Sequence, residues 1–183
     1  WHHEPLHSTI EAVGGLVAIA MGIVLLQTRD DIAAGKYRML AAGFLGMGIL
    51  EEFHATTPPG KGFVLFRNVA SLAGSLGFVM VWRSSVRTDL SVQHPHPWMV
   101  AVGALLVGAW FLIFPDQIPE MVRNGEFTPV AVAPQTIACI LFLAAGGRLL
   151  EEYRRSGRSE EALFSTLAFL YGLAEFVFLY SIP

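Results

Sequence analysis

Charged side chains are scarce in this sequence, since Asp, Glu, Lys and Arg make up only 15% of its 183 residues while apolar residues make up 54%. A soluble globular domain carries about 25% charged residues, so this composition excludes an ordinary soluble fold. No basic patch, phosphate-binding loop or nucleophile motif stands out, and the formal net charge is only -3. We therefore expect no nucleic-acid partner and no enzymatic activity.

Cysteine is almost absent as well. The single residue, Cys139, lies inside an apolar run, which predicts a small buried side chain and excludes a disulfide framework. Long polar segments that could fold as a soluble domain are also missing, because the connections between the apolar runs are short. We therefore predict one transmembrane domain over residues 1–183, with any chemistry inside the domain or at its rim.

Six apolar runs each come close to the roughly 20 residues that a membrane-spanning helix needs. They cover residues 7–27, 37–54, 62–82, 97–114, 129–150 and 161–181. The sequence thus predicts an all-α bundle of six transmembrane helices.

Lys and Arg collect at one end of the predicted bundle. The connections at this end hold Arg29, Lys36, Arg38, Arg83, Arg87, Arg148, Arg154, Arg155 and Arg158. The other end has only Lys61, Arg67 and Arg123. Because cytoplasmic loops carry the excess of basic residues, we expect a multi-pass protein of the bacterial inner membrane whose N-terminus and C-terminus both face the periplasm.

Ionisable side chains collect in the outer half of the predicted bundle. His7 and Glu11 are four residues apart on the first helix, and Glu51 and His54 are three apart on the second. Each pair therefore shares one helix face. Ionisable groups at membrane depth are costly without a partner, so these four residues are our candidate metal ligands. Three supporting residues are expected beside them: His3, Asn68 and Glu175.

Several kinds of site fit this outer cluster. Two imidazoles and two carboxylates can bind zinc or non-haem iron, and imidazole also suits copper, while haem ligation by paired histidines is a weaker option. The same residues could instead form a hydrogen-bonded network, in which each acid finds an imidazole, Arg67 or Asn68 as its partner and helices are tied together. A pH sensor is a further option, because imidazole–carboxylate pairs titrate near neutral pH.

Two stretches of the sequence resemble a known family. The segments 3–11 and 46–60, followed by Asn68 and by Ala70-Ser71-Leu72, are similar to the MASE-type sensor regions of bacterial sensor histidine kinases. This resemblance implies an input domain that senses something from outside or from the membrane and passes the signal to a cytoplasmic output domain. Glu51 stands where those regions usually have Asp, so the acid is retained with a longer reach.

The predicted topology raises a question about the output. A kinase must continue into the cytoplasm, whereas six spans would end outside, at Pro183. We therefore expect either a seventh helix and an output domain or, as the alternative, an accessory subunit that stabilises a larger respiratory or photosynthetic membrane complex. The expected partners are the lipid bilayer together with an output domain or other membrane subunits.

Overall fold

The computed structural model describes the backbone of residues 5–27, 34–86 and 96–180, and the side chains of residues 6, 8–27, 35–81 and 96–178. Its helices are α1 (Pro5–Gln27), α2 (Ala34–Thr56), α3 (Lys61–Val86), α4 (Pro97–Ile113), α5 (Pro129–Ser156) and α6 (Ser159–Tyr180). They coincide with the six predicted runs, so the helical bundle is confirmed.

Among the described residues, four helices are long and apolar enough to cross a membrane, namely α1, α3, α5 and α6. Helix α4 is apolar but has 17 residues. Helix α2 carries four charged residues, which dilute its apolar character: Lys36, Arg38, Glu51 and Glu52. The structure is thus a helical membrane bundle, while the count of six spans and the orientation of the termini stay predictions.

Helix α2 lies at the centre of the bundle. It packs against α1, α3 and α4, while α5 packs on α3 and α6 packs on α5. The outer helices turn apolar side chains outward, where lipid would meet them, and those at least half exposed include Ile10, Leu16, Val24, Met99, Leu106, Ile113, Leu163, Leu170 and Val177. Because its neighbours shield α2, Lys36 is buried and Glu51 and Glu52 are half-buried on this helix, whereas Arg38 near its start is exposed.

Helices α2 and α3 cross at two glycines. A Cβ added at Gly43 would lie 2.9 Å from the Cα of Gly77, and one added at Gly77 would lie 2.8 Å from the backbone nitrogen of Gly43. Small residues at a crossing allow such close approach in membrane bundles. Because backbone atoms fill the space, no side chain can move aside to accept a methyl group there.

We therefore expect Gly77→Ala to destabilise the bundle by about 2 kcal/mol through overpacking. The matched control is Gly147→Ala on α5, because a Cβ at Gly147 meets nothing within 4 Å. Reversible unfolding in mixed micelles would measure both free energies of unfolding. Equal stability of the two variants would contradict the close crossing.

The connection between α4 and α5 contains regular structure that the apolar pattern does not predict. It holds a short 3-10 helix, Pro115–Gln117, and a hairpin of β1 (Val122–Arg123) and β2 (Glu126–Phe127). Asn124 and Gly125 both have positive φ, 54° and 83°, as the type I′ hairpin turn requires. A hydrogen bond from Arg123 lowers the pKa of the exposed Glu120 carboxyl, so the outer surface of this segment is a solvated ion pair.

This connection also covers the end of the bundle at which α2 ends and α3 begins, which the sequence predicts to be periplasmic and which is called the outer end below. Ile118 and Met121 are buried and belong to a small core with Phe63 of α3 and Ala131 of α5. On β2, the ring of Phe127 stacks on Phe178 of α6, with ring centroids 5.2 Å apart. The hairpin thereby shields the ends of α3, α5 and α6 from solvent.

Candidate functional site

The imidazole of His54 is buried between α1, α2 and α3, with only 1% of the residue exposed. Its Nδ1 atom lies 2.8 Å from the backbone carbonyl oxygen of Phe63, and its Nε2 atom lies 3.0 Å from Oε1 of Glu11. The Phe63 ring packs on the imidazole with 3.9 Å between ring centroids. The ring is therefore held in one orientation, with Nε2 directed at a carboxylate.

These contacts fix the protons of the His54–Glu11 pair. A carbonyl oxygen can only accept a hydrogen bond, so Nδ1 carries a proton and donates it to Phe63. One further proton must lie between Nε2 and Glu11. Either an imidazolium donates to a carboxylate or a protonated carboxyl donates to neutral imidazole, and in both cases the pair has no net charge.

A second group of charges lies beside this pair. The guanidinium of Arg67 on α3 donates to Glu51 on α2 and, at 3.3 Å, to Oε1 of Glu175 on α6. The guanidinium carbon also lies 5.9 Å from the centre of the Phe178 ring. One cation thus bridges two carboxylates and links three helices under the cover of the hairpin.

A cavity of about 160 Å³ connects the two groups of charges. Its lining comes from α1, α2, α3 and α6 and consists of Glu11, Gly14, Gly15, Ala18, Met47, Glu51, Arg67 and Tyr171. The glycines and alanine of α1 leave room beside the carboxylates. A small guest in this cavity would reach Glu11, Glu51 and Arg67 together.

The structure brings part of the predicted metal site together. Glu11 and His54 are in contact, and Glu51 lines the same cavity but is paired with Arg67. His3 and the side chain of His7 lie outside the described residues. Among the side chains that are described, no group of three His, Cys, Asp or Glu residues is arranged to hold a metal ion. The full ligand set therefore stays a prediction.

The predicted hydrogen-bonded network is present for the acids, since Glu11 pairs with His54 while Glu51 and Glu175 pair with Arg67. Asn68 has a different role from the one the sequence suggests. Its Nδ2 atom donates to the backbone carbonyl of Ala131 on α5 at 2.8 Å. Asn68 therefore joins α3 to α5 and does not partner an acid through this bond.

Sequence reasoning missed a buried ion pair at the opposite end of the bundle. Lys36 was counted with the cytoplasmic basic residues, yet it is only 8% exposed and pairs with Glu161 in the first turn of α6. Its Nζ atom also lies 3.4 Å from Glu152 at the end of α5. Buried titratable groups therefore lie at this end of the bundle as well as at the end that holds His54.

A comparison with known protein families gives one match. A family model described as MASE3, a membrane-associated sensor domain, matches residues 1–182. Comparisons with curated proteins and with solved structures give no match.

Proposed function

The chain belongs to the MASE3 family of membrane-associated sensor domains, and from this premise we propose that it senses a divalent transition-metal ion at the His54–Glu11 pair. The observation that carries the proposal is the fixed imidazole, whose Nδ1–H bonds a backbone carbonyl while Nε2 is directed at a carboxylate beside a cavity. Metal-binding histidines usually have their second nitrogen held in this way, which fixes the tautomer and orients the ligand atom.

The neighbouring residues would complete the site. His7 precedes Glu11 by one helical turn on α1, and Glu51 lines the same cavity. This set of imidazole nitrogens and carboxylate oxygens suits zinc, and copper or iron would accept it as well. The cavity of about 160 Å³ is smaller than the roughly 300–1,000 Å³ of pockets for drug-sized ligands, which favours an ion over haem.

Metal binding would alter the network. A metal ion bound at Nε2 would take the place of the proton shared with Glu11, so binding would release a proton and would weaken as pH falls. It would also draw Glu51 from Arg67 and change the contacts between α2 and α3. We propose that this change, at the periplasmic end of a protein of the bacterial inner membrane, is passed to a cytoplasmic output domain.

The test is zinc titration of the purified protein in lipid nanodiscs by calorimetry. We expect wild-type protein to bind one Zn²⁺ and His54→Ala to lose at least about tenfold in affinity, since it removes the oriented nitrogen. The matched control is His96→Ala, because His96 is exposed at the start of α4, at the far end of the bundle from His54.

Two results would overturn the metal proposal: wild-type protein that binds no zinc, copper or iron, and His54→Ala with wild-type affinity. The alternative role, that of an accessory subunit in a respiratory or photosynthetic complex, stays a prediction, because no contact among the described residues tests it.

A further inference from the structure

The outer charges do not balance when both acids that pair with Arg67 are ionised. Glu51 and Glu175 contribute two negative charges to one guanidinium, while the His54–Glu11 pair is neutral in total. Glu175 is only 2% exposed. An uncompensated charge at membrane depth costs several kcal/mol, and among the described residues this group lacks one positive charge.

Side-chain oxygens without a hydrogen-bond partner occur on all three of the helices α3, α5 and α6. Within the described part of the chain, four buried residues, each at most 2% exposed, keep side-chain oxygens without a hydrogen-bond partner, apart from the contact between the Ser71 hydroxyl and the Glu175 carboxyl. They are Asn68 and Ser71 on α3, Gln135 on α5, and Glu175 on α6, through its Oε2 atom. Buried polar atoms normally have a partner, so a group of four requires an explanation.

Hydrogen bonds between helices show that Gln135 faces α3 and α6. One turn before it, Ala131 accepts the bond from Asn68 of α3. One turn after it, the thiol of Cys139 donates to the carbonyl of Gly172 on α6 at 3.3 Å. Because residues four apart share a helix face, Gln135 lies between these two contacts and points where α3, α5 and α6 meet.

Glu175 and Ser71 reach the same place from the other two helices. Glu175 follows Gly172 by three residues on α6 and is held to α3 by Arg67 at 3.3 Å. Ser71 follows Asn68 by three residues, and its hydroxyl donates a hydrogen bond to the Glu175 carboxyl. Arg67 bonds Oε1 of Glu175, so the second carboxylate oxygen is left without a bond to the guanidinium.

We propose that Asn68, Ser71, Gln135 and Glu175 form a buried binding site for one sodium ion, separate from the His54–Glu11 pair. All the ligand atoms that the site offers to the ion are oxygens: two amide oxygens, a hydroxyl and a carboxylate. Hard cations prefer this set. A single positive charge restores neutrality with Glu51, Arg67 and Glu175, whereas a divalent ion would leave an excess.

The test is the melting temperature of the full protein in nanodiscs, measured in NaCl, KCl and N-methylglucamine chloride at equal ionic strength and pH. We expect a rise that grows with NaCl concentration and is absent in N-methylglucamine, because a ligand that binds only the folded state stabilises it by mass action. Glu175→Gln and Gln135→Met are expected to lose this rise.

The variants separate ion binding from simple folding. Among the described residues no group bonds the Gln135 amide, so Gln135→Met should fold, and its melting temperature in sodium-free buffer is the baseline from which its sodium response is measured. The control Ser165→Ala removes a buried hydroxyl of α6 that does have a partner, the carbonyl of Gly146 at 2.9 Å. It should melt lower in every salt but keep the full sodium-dependent rise.

Two outcomes would overturn the sodium site. One is equal melting temperatures in all three salts. The other is stability that follows pH but not sodium, which would mean that a proton on Glu175 supplies the missing charge among the groups that face it: Arg67, Glu51, His54 and Cys139. Zinc binding at His54 is measured separately, so failure of either proposal leaves the other intact.

Discussion

Replacing Arg67 with methionine is expected to lower the free energy of unfolding by about 3 kcal/mol, the largest effect of any single change in the outer half of the bundle. The substitution keeps most of the side-chain volume but leaves Glu51 and Glu175 without their shared cation. The cost arises from the unpaired buried carboxylates, since the ion pairs themselves are offset by desolvation. Reversible unfolding in mixed micelles would measure it.

The same reasoning predicts rescue. Adding Glu51→Gln and Glu175→Gln to Arg67→Met removes both stranded charges, so most of the lost stability should return. The matched control is Arg123→Met, whose arginine pairs with Glu120 on the surface with 68% of its side chain exposed. Exposed pairs contribute little, so this variant should behave as wild type. If the triple variant is no more stable than Arg67→Met, lost packing and not stranded charge is responsible.

The helices could be predicted from sequence because each apolar run has the length of a span and ends at polar residues or turn formers, such as Pro58 and Pro59 after α2. Glu51 and His54 are only three residues apart in the sequence, so both could likewise be placed at one end of α2. Local periodicity determines these features, so no tertiary information is needed.

Partners far apart in sequence could not be predicted, because no local spacing connects them. Arg67 and Glu175 are 108 residues apart, and Lys36 and Glu161 are 125 apart. Which of several buried acids meets which cation depends on helix rotation. Glu51 also illustrates this point. Its neighbour on the same helix face is His54, yet its observed partner is Arg67 on another helix.

The hairpin was not predicted either, although the sequence contains a local signal for it. Asn124-Gly125 is the dipeptide that favours a type I′ turn, but the flanking strands have two residues each, too few to show alternation. In the structure the two strands pair, and Phe127 of β2 stacks on Phe178 of α6.

The buried lysine at the other end of α2 gives the second large effect. We expect Lys36→Met to cost about 3 kcal/mol, because Glu161, itself 5% exposed, loses its cation while the methionine still fills the space. Lys36→Met with Glu161→Gln should recover most of this loss, and the control Arg155→Met, at an arginine with 68% of its side chain exposed, should change little. Chemical unfolding in micelles would compare the four proteins. Lys36 lies in the first turn of α2 and His54 lies near its end, so the Lys36–Glu161 pair fixes the same central helix that the outer site holds. A Lys36→Met protein as stable as wild type would show that only the outer contacts hold α2 in place.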